Sequence, residues 1–529
     1  MDFPSVPLWP LALAASLVAF LLPGLLGAAV LGRRDVVPTA AVPLTAVVLS
    51  STIGYAAFWA YLADDGLGRA FSVAANTAGV AVPVVSARAR RLLWRTARSS
   101  SVAVPLALLL LVAAMYNGVL FAHGAPTPVV DRANVHLLDG NGLPPDNHLP
   151  RQFADRLFLG EDPRRPFGDW RSSDRPPLQT GAVLLQRPFS SALGIEGLHY
   201  QLLSSALQCT WLAAAWALCA AARFRPRATA LALVVAAFSG FFFLNSVFVW
   251  PKLYAAALVL SAYVLLVGRR PPWPAAAVGA LAAALGSLAH AGVVFTLVPL
   301  AAVVLARRSR PSPSGVLAGA AVVAVLLGPW WAYGRFYDPP GNRLAKWHLA
   351  GSPAIDARSL TEALADSYSR AGGSVIVRNK ADNLAAVVRP LPRWSDVRDG
   401  GAEQFRQWEF RSMAWALGPL NLGWVALAAG LAGQARKRWS PPAGWRPAAA
   451  MVGLGLAAVV VWALMMFGPG TTVIHQGSYA TMVLLWVGLA GVVGARSPRW
   501  GAAVALVQVA WFVVVWARDL PGPAGPLAA

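Results

Sequence analysis

Two residues in a largely apolar chain have the type and setting needed to move a group off a phosphate: Asp146, within "PPDNH", and Arg175, within "DRPPL". A carboxylate can take the proton of an attacking hydroxyl. A guanidinium, planar and permanently charged, can hold a phosphate through two parallel hydrogen bonds. Both lie in residues 142–181, "GLPPDNHLPRQFADRLFLGEDPRRPFGDWRSSDRPPLQTG", where acids, arginines and prolines concentrate. Pro176 and Pro177 stiffen the backbone that carries Arg175. Asp174 stands next to it, placed to orient the guanidinium or to help hold a divalent metal ion.

Each assignment has a plainer competitor. After Pro144 and Pro145, Asp146 is also by type a helix cap. Asp131 and Asp139, nearer the preceding apolar run, are alternative bases, and Arg175 beside a bilayer could equally meet lipid headgroups. The short helix expected after Asp146 would bury Phe153, Leu157 and Leu159 and leave Asp155 solvated.

A second polar stretch, "GPWWAYGRFYDPPGNRLAKWHLAG", residues 328–351, opens with an aromatic band and a strong Asp-Pro-Pro-Gly-Asn turn. Arg343, Lys346 and His348, with Trp347, either bind a lipid phosphate and stack on a sugar or merely snorkel beside a membrane. Lys252 in "VWPKLY" and His475 in "TTVIHQGS" lie in two smaller turns facing the same space; His475 is either a hydrogen-bonded turn residue or a ligand. No His-x-x-x-His spacing, Walker motif or dinucleotide glycine motif occurs. Cys209 and Cys219 share one apolar segment and read as small core residues.

The elements that must position these residues are membrane helices. The chain has 529 residues, 57% hydrophobic and 13% charged, which excludes a string of soluble domains. Apolar runs long enough to cross a hydrocarbon core of about 30 Å predict an all-α polytopic membrane protein with about thirteen or fourteen transmembrane helices. Residues 66–86 are the weakest of them, and 273–306 needs a break near "GSLAHAG". The first run, from residue 8, is too long for a cleaved signal and reads as a retained helix.

Four regions follow: 1–101, extra N-terminal helices and a basic segment; 102–334, a transmembrane core with a long loop at 123–198; 335–411, a second long loop; and 412–529, C-terminal helices and a short tail. Between 358 and 411, "SLTEALADSYSRAGG" and "VRNKADNLAAVV" read as short amphipathic helices. Alternating the spans gathers about 21 basic residues and one acid, Asp35, on one side. That nearly accounts for the formal net charge of +21, so the basic face is cytoplasmic and both long loops are extracytoplasmic. Because the charge is spread over short loops, a nucleic-acid partner is excluded. The Ala, Arg, Gly and Pro bias fits a GC-rich bacterial genome.

An acid in an early outer loop, a surface helix ending near Gly, and then a basic-Pro-Pro-Leu element resembles the glycosyltransferase C superfamily, nearest its lipid A aminoarabinose transferase and protein O-mannosyltransferase branches. The resemblance implies an outer-loop acid in catalysis, matched by Asp146, and a cation near the lipid phosphate, matched by Arg175 where the family has lysine. Two features depart from the pattern: the usual acidic pair is Asp146-Asn147, and two or three helices precede the usual first one. The implied donor is a polyprenyl-phosphate-linked sugar, used at the plasma membrane. The acceptor is a wall polysaccharide, a lipid or a protein. The rival functions are a lipid-glycan transporter or flippase, which needs an inner-facing polar cavity or internal repeats, and a non-catalytic partner in envelope assembly.

Overall fold

Ala-, Leu- and Val-rich runs in this chain form helices, which satisfy every backbone amide within their own segment as a hydrocarbon surrounding would require. The computed structural model describes residues 8–123, 129–138, 143, 145–267, 271–307, 310–389, 393–437, 439–468 and 479–518. Among the described residues the protein is all-α: no strand forms, and the one extended pairing is an isolated bridge between Phe167 and Trp170. Among the described residues nine helices are long and apolar enough to cross a membrane, or eleven if two sharply bent pairs are each one span. The count from sequence also took in the shorter apolar helices Lys252–Val267, Trp273–Ala289 and Ala291–Ala306. The expected break in 273–306 falls at His290, whose extended backbone separates two helices and whose Nδ1 accepts from the Gly292 amide at 3.1 Å.

The N-terminal helices form a frame. Helix α1 (Trp9–Arg33) packs along α2 (Val42–Ala63), and α3 (Asp65–Val85) returns beside both. The Asp64 carboxylate caps α3 by accepting from the Leu67 amide at 2.8 Å. Pro83 and the Ser86 cap then end α3, and α4 (Ala87–Ala97) leaves it at 93°. Residues 66–86 are thus helical, but they pair with a bent basic helix instead of standing as a simple span. Helix α5 (Ser100–Ala122) completes the frame.

Residues 129–192 carry the candidate chemistry. A short helix, α6 (Arg132–Leu137), is followed by a 3₁₀ turn at Pro145–His148 and by α7 (Leu149–Phe158). Helix α7 buries Phe153 and Leu157 as its amphipathic pattern predicts, but Leu159 lies beyond its end and is 61% exposed. Asp155 is not solvated; it is half-buried and paired with Arg187 at 2.7 Å and Arg151 at 3.5 Å.

Arg175 leads directly into α8 (Leu178–Ala192), which is seated on α2 through a crossing of two glycines. A Cβ on Gly181 would lie 2.9 Å from the Gly54 carbonyl carbon and 3.1 Å from Phe58 Cβ. Only hydrogen at both positions lets the backbones approach this closely. Gly181→Ala is therefore expected to destabilise the protein by roughly 1–3 kcal/mol through overpacking. Gly328→Ala, where an added Cβ meets nothing within 4 Å among the described residues, should leave stability unchanged or slightly raised. Thermal unfolding of both variants in the same detergent checks the contrast.

Both predicted amphipathic stretches after residue 358 are present as one bent helix, Leu360–Ala385, broken at Gly372, where φ is +70°. Ser359 and Glu362 make a capping box at its start. Its second half closes the end of the helix Trp445–Met465: Asn383 donates to the carbonyls of Ala463 and Met466, and Asn379 to that of Phe467. These are the acceptors a helix C-terminus leaves unpaired. Cys209 and Cys219 are buried free thiols.

Candidate functional site

The site begins with a clamp between two distant segments. Asp338, from the Asp-Pro-Pro-Gly-Asn turn, is 1% exposed and accepts from the Ser172 hydroxyl at 2.7 Å, the Ser173 amide at 2.9 Å and Arg171 Nη1 at 2.8 Å. The Tyr333 hydroxyl adds a 2.6 Å bond to Ser172. In return, Asp174 accepts from Arg343 Nη1 at 3.2 Å and from the Arg171 amide at 3.0 Å. Burial raises the Asp174 carboxyl above its usual range, against the lowering pull of the Arg171 amide and Arg343.

The two buried carboxylates fix Ser172–Asp174, and so the residue that follows, Arg175. Asp338→Ala would strip a charge-assisted partner from each of these donors and is expected to cost on the order of 2 kcal/mol. Asp169→Asn, at a side chain 76% exposed, should cost far less. Protease sensitivity of residues 160–177, measured beside thermal unfolding, checks that the loss is local.

From this platform Arg175 pairs with Asp146, which is 8% exposed. The other Asp146 oxygen accepts from the Trp250 indole at 2.5 Å. Asp146 is therefore not a helix cap: α7 starts after His148 and has no side-chain cap. The Arg175 guanidinium lies over the Trp170 ring at 4.0 Å, and its buried Nε has no hydrogen-bond partner among the described residues.

Trp250 and Lys252 arrive from a turn that is itself strained. Val249, a buried β-branched residue, has φ +59°, a conformation costing roughly 1–2 kcal/mol outside glycine. Its carbonyl is held at 3.0 Å by Gln179 from the first turn of α8. The Arg175 arm and the Trp250 turn are thereby tied together. Lys252 Nζ lies 3.8 Å from the Trp250 ring centroid and 5.3 Å from that of Tyr479, within electrostatic range of Asp146 and Arg175.

His348 completes the cluster. Burial, with the nearby Lys252 and Arg175 charges, lowers its imidazolium to about 4. At neutral pH it is a neutral ring offering one donor and one acceptor. It stacks on Trp347, which in turn stacks on Trp170 at 6.2 Å.

The sequence-based candidates divide accordingly. Asp146, Arg175, Lys252 and His348 converge. Asp174 neighbours them: its carboxylate is hydrogen-bonded to Arg343 and to the Arg171 amide, and it bears on Arg175 through the backbone it fixes. Arg343 and Lys346 turn inward, contrary to the phosphate-binding expectation. Arg343 donates to the Asp169 and Pro353 carbonyls as well as to Asp174. Lys346, wholly buried, donates to Asp356 Oδ1 at 2.7 Å and to the carbonyls of Asp356 and Arg358. Lys346 is occupied in holding its own segment, and Arg343 in tying that segment to residues 169–174.

Asp131 pairs with His148 at 2.5 Å, joining two turns. Asp139 and His475 lie outside the described residues. Among the described residues no three His, Cys, Asp or Glu side chains gather, and with Asp174 taken by Arg343 these residues do not offer a divalent ion a ligand set.

Trp170, Trp250 and Asp338 were not singled out by sequence. The only signal for Trp250 was its place in a Trp-Pro-Lys turn, and for Asp338 a turn signature that says nothing of a partner 166 residues away. No family model matches the chain, and no curated protein or solved structure matches it.

Proposed function

We propose that the protein is a membrane glycosyltransferase that moves a sugar from a polyprenyl-phosphate carrier to a hydroxyl of a cell-envelope acceptor, on the extracytoplasmic side of the plasma membrane. The observation that carries this reading is the meeting of a buried carboxylate, Asp146, with Arg175, flanked by Lys252, His348 and the aromatic rings of Trp170 and Trp250. A phosphate-linked sugar presents an anion and an apolar-faced ring, and these groups are complementary to both.

In the proposed reaction the donor phosphate takes Arg175 away from Asp146 and uncovers the carboxylate. Asp146 then accepts the proton of the acceptor hydroxyl, whose oxygen forms the new bond to the anomeric carbon. The bond from that carbon to the phosphate oxygen breaks, its electron pair stays with the leaving polyprenyl phosphate, and Arg175 and Lys252 stabilise the charge. One displacement inverts the anomeric centre. Proteoliposomes supplied with a polyprenyl-phosphate sugar and an envelope extract test the reading. Sugar transfer matched by release of polyprenyl phosphate supports it, and absence of release from any such donor overturns it.

One observation favours a second reading, a lipid-glycan transporter: a cavity of about 570 Å³ lined by arginines at the far end of α2. Movement of labelled lipid-linked sugar across sealed vesicles, without transfer, would decide for it.

A further inference from the structure

The cavity just mentioned opens where α1 ends, α2 begins and α4 lies across them. Arg33 comes from the last turn of α1, and Arg88, Arg91 and Arg95 from α4. The α4 spacing is three and then four residues, so these three share one helix face. Thr39, Thr96 and Ser99 add hydroxyls, Ala29, Val42 and Leu92 make apolar walls, and no acidic side chain lines the space. The four guanidiniums are exposed to solvent and gather around one cavity with no acid in its lining, so together they favour an anion there. Its volume falls in the range of about 300–1,000 Å³ that holds small ligands.

The cavity is also far from Asp146. Thr39 and Val42 line it at the start of α2, whereas Phe58, near the other end, packs on Phe153 of α7 at 5.4 Å. Twenty-two helical residues separate those ends by about 33 Å, roughly one hydrocarbon thickness. The surroundings belong to an interface. Val84 and Val85 are 66% and 80% exposed, and Trp94, 59% exposed and outside the cavity lining, stacks under Arg98 at 4.4 Å. An exposed tryptophan beside basic residues on an amphipathic helix is the composition of a segment lying at the level of lipid headgroups.

We propose that this cavity binds the phosphate-bearing headgroup of an anionic membrane lipid, with Arg33, Arg88, Arg91 and Arg95 as its phosphate donors. The shared chemistry is phosphate recognition. The lipid is the source because the cavity sits where apolar helices end and exposed apolar side chains begin. The site does not rest on the transfer reading, since it uses none of the same residues.

The test is native mass spectrometry of the full-length protein released from nanodiscs of phosphatidylglycerol and phosphatidylcholine. The wild type should retain phosphatidylglycerol selectively, and Arg91→Gln with Arg95→Gln should lower retention about 30-fold, at roughly five- to sixfold for each arginine. Arg90→Gln with Arg98→Gln removes the same charge from arginines of the same segment that do not line the cavity and should lower it about twofold or less. Equal losses in the two double variants, or no selectivity in the wild type, would overturn the site. Displacement of the lipid by millimolar inorganic phosphate would overturn the lipid assignment. A photoactivatable phosphatidylglycerol headgroup needs no variant: in the wild type it should label residues 29–42 or 86–99, and labelling confined elsewhere refutes the proposal.

Discussion

Asp146→Asn is expected to lower sugar transfer by about 10²- to 10⁴-fold, the range for removing a general base, in protein that remains folded and inserted. The substitution keeps the side-chain shape, and the amide oxygen can still accept from the Trp250 indole, so that contact survives. It removes the proton acceptor and the negative partner of Arg175. Losing that partner leaves a cation 19% exposed beside Lys252, so a drop in thermal stability should accompany the drop in rate.

The two effects separate when transfer is normalised to folded protein and followed against pH. A base role predicts loss of rate at every pH where the wild type works. A merely structural pair predicts full rate in whatever fraction stays folded, and that outcome would remove Asp146 from the chemistry. Asp146→Glu keeps the base but moves it by one methylene and should recover part of the rate, because misplacement by about 1 Å is itself costly.

The fold was legible because membrane helices announce themselves by length and composition. Even the break at His290 is visible, since a run of two spans cannot stay straight in one bilayer. The packing of α8 on α2 was not legible. Gly54 and Gly181 lie 127 positions apart by number and look like any two glycines until their backbones touch.

The site shows the same division. Asp146 and Arg175 could be picked out as an acid and a proline-stiffened cation, and they do pair. Arg343 and Lys346 look equally suited to a phosphate. Their real partners, Asp174, Asp356 and main-chain carbonyls, are set by how this segment packs on residues 169–174 and folds back on itself, which residue type does not encode. Trp250 and Lys252 join the cluster only because Gln179 reaches Val249 across 70 residues of sequence.

Arg175→Ala is expected to reduce turnover by about 10²- to 10³-fold, the scale for removing one preorganised stabiliser of developing negative charge. The variant carries a built-in discrimination. Without Arg175, Asp146 loses its salt-bridge partner and stands uncovered toward an acceptor hydroxyl. If the guanidinium only restrained the base, transfer would rise in Arg175→Ala. If it stabilises the leaving phosphate, transfer falls although the base is uncovered, and the fall appears in turnover more than in donor affinity. Arg175→Lys keeps the charge but not the planar fork that lies over Trp170 while reaching Asp146, so its rate should lie between wild type and alanine. Measured with Asp146→Asn in a double-mutant cycle, the two losses should be less than additive, because in each single variant the surviving partner has already lost the group that positions it.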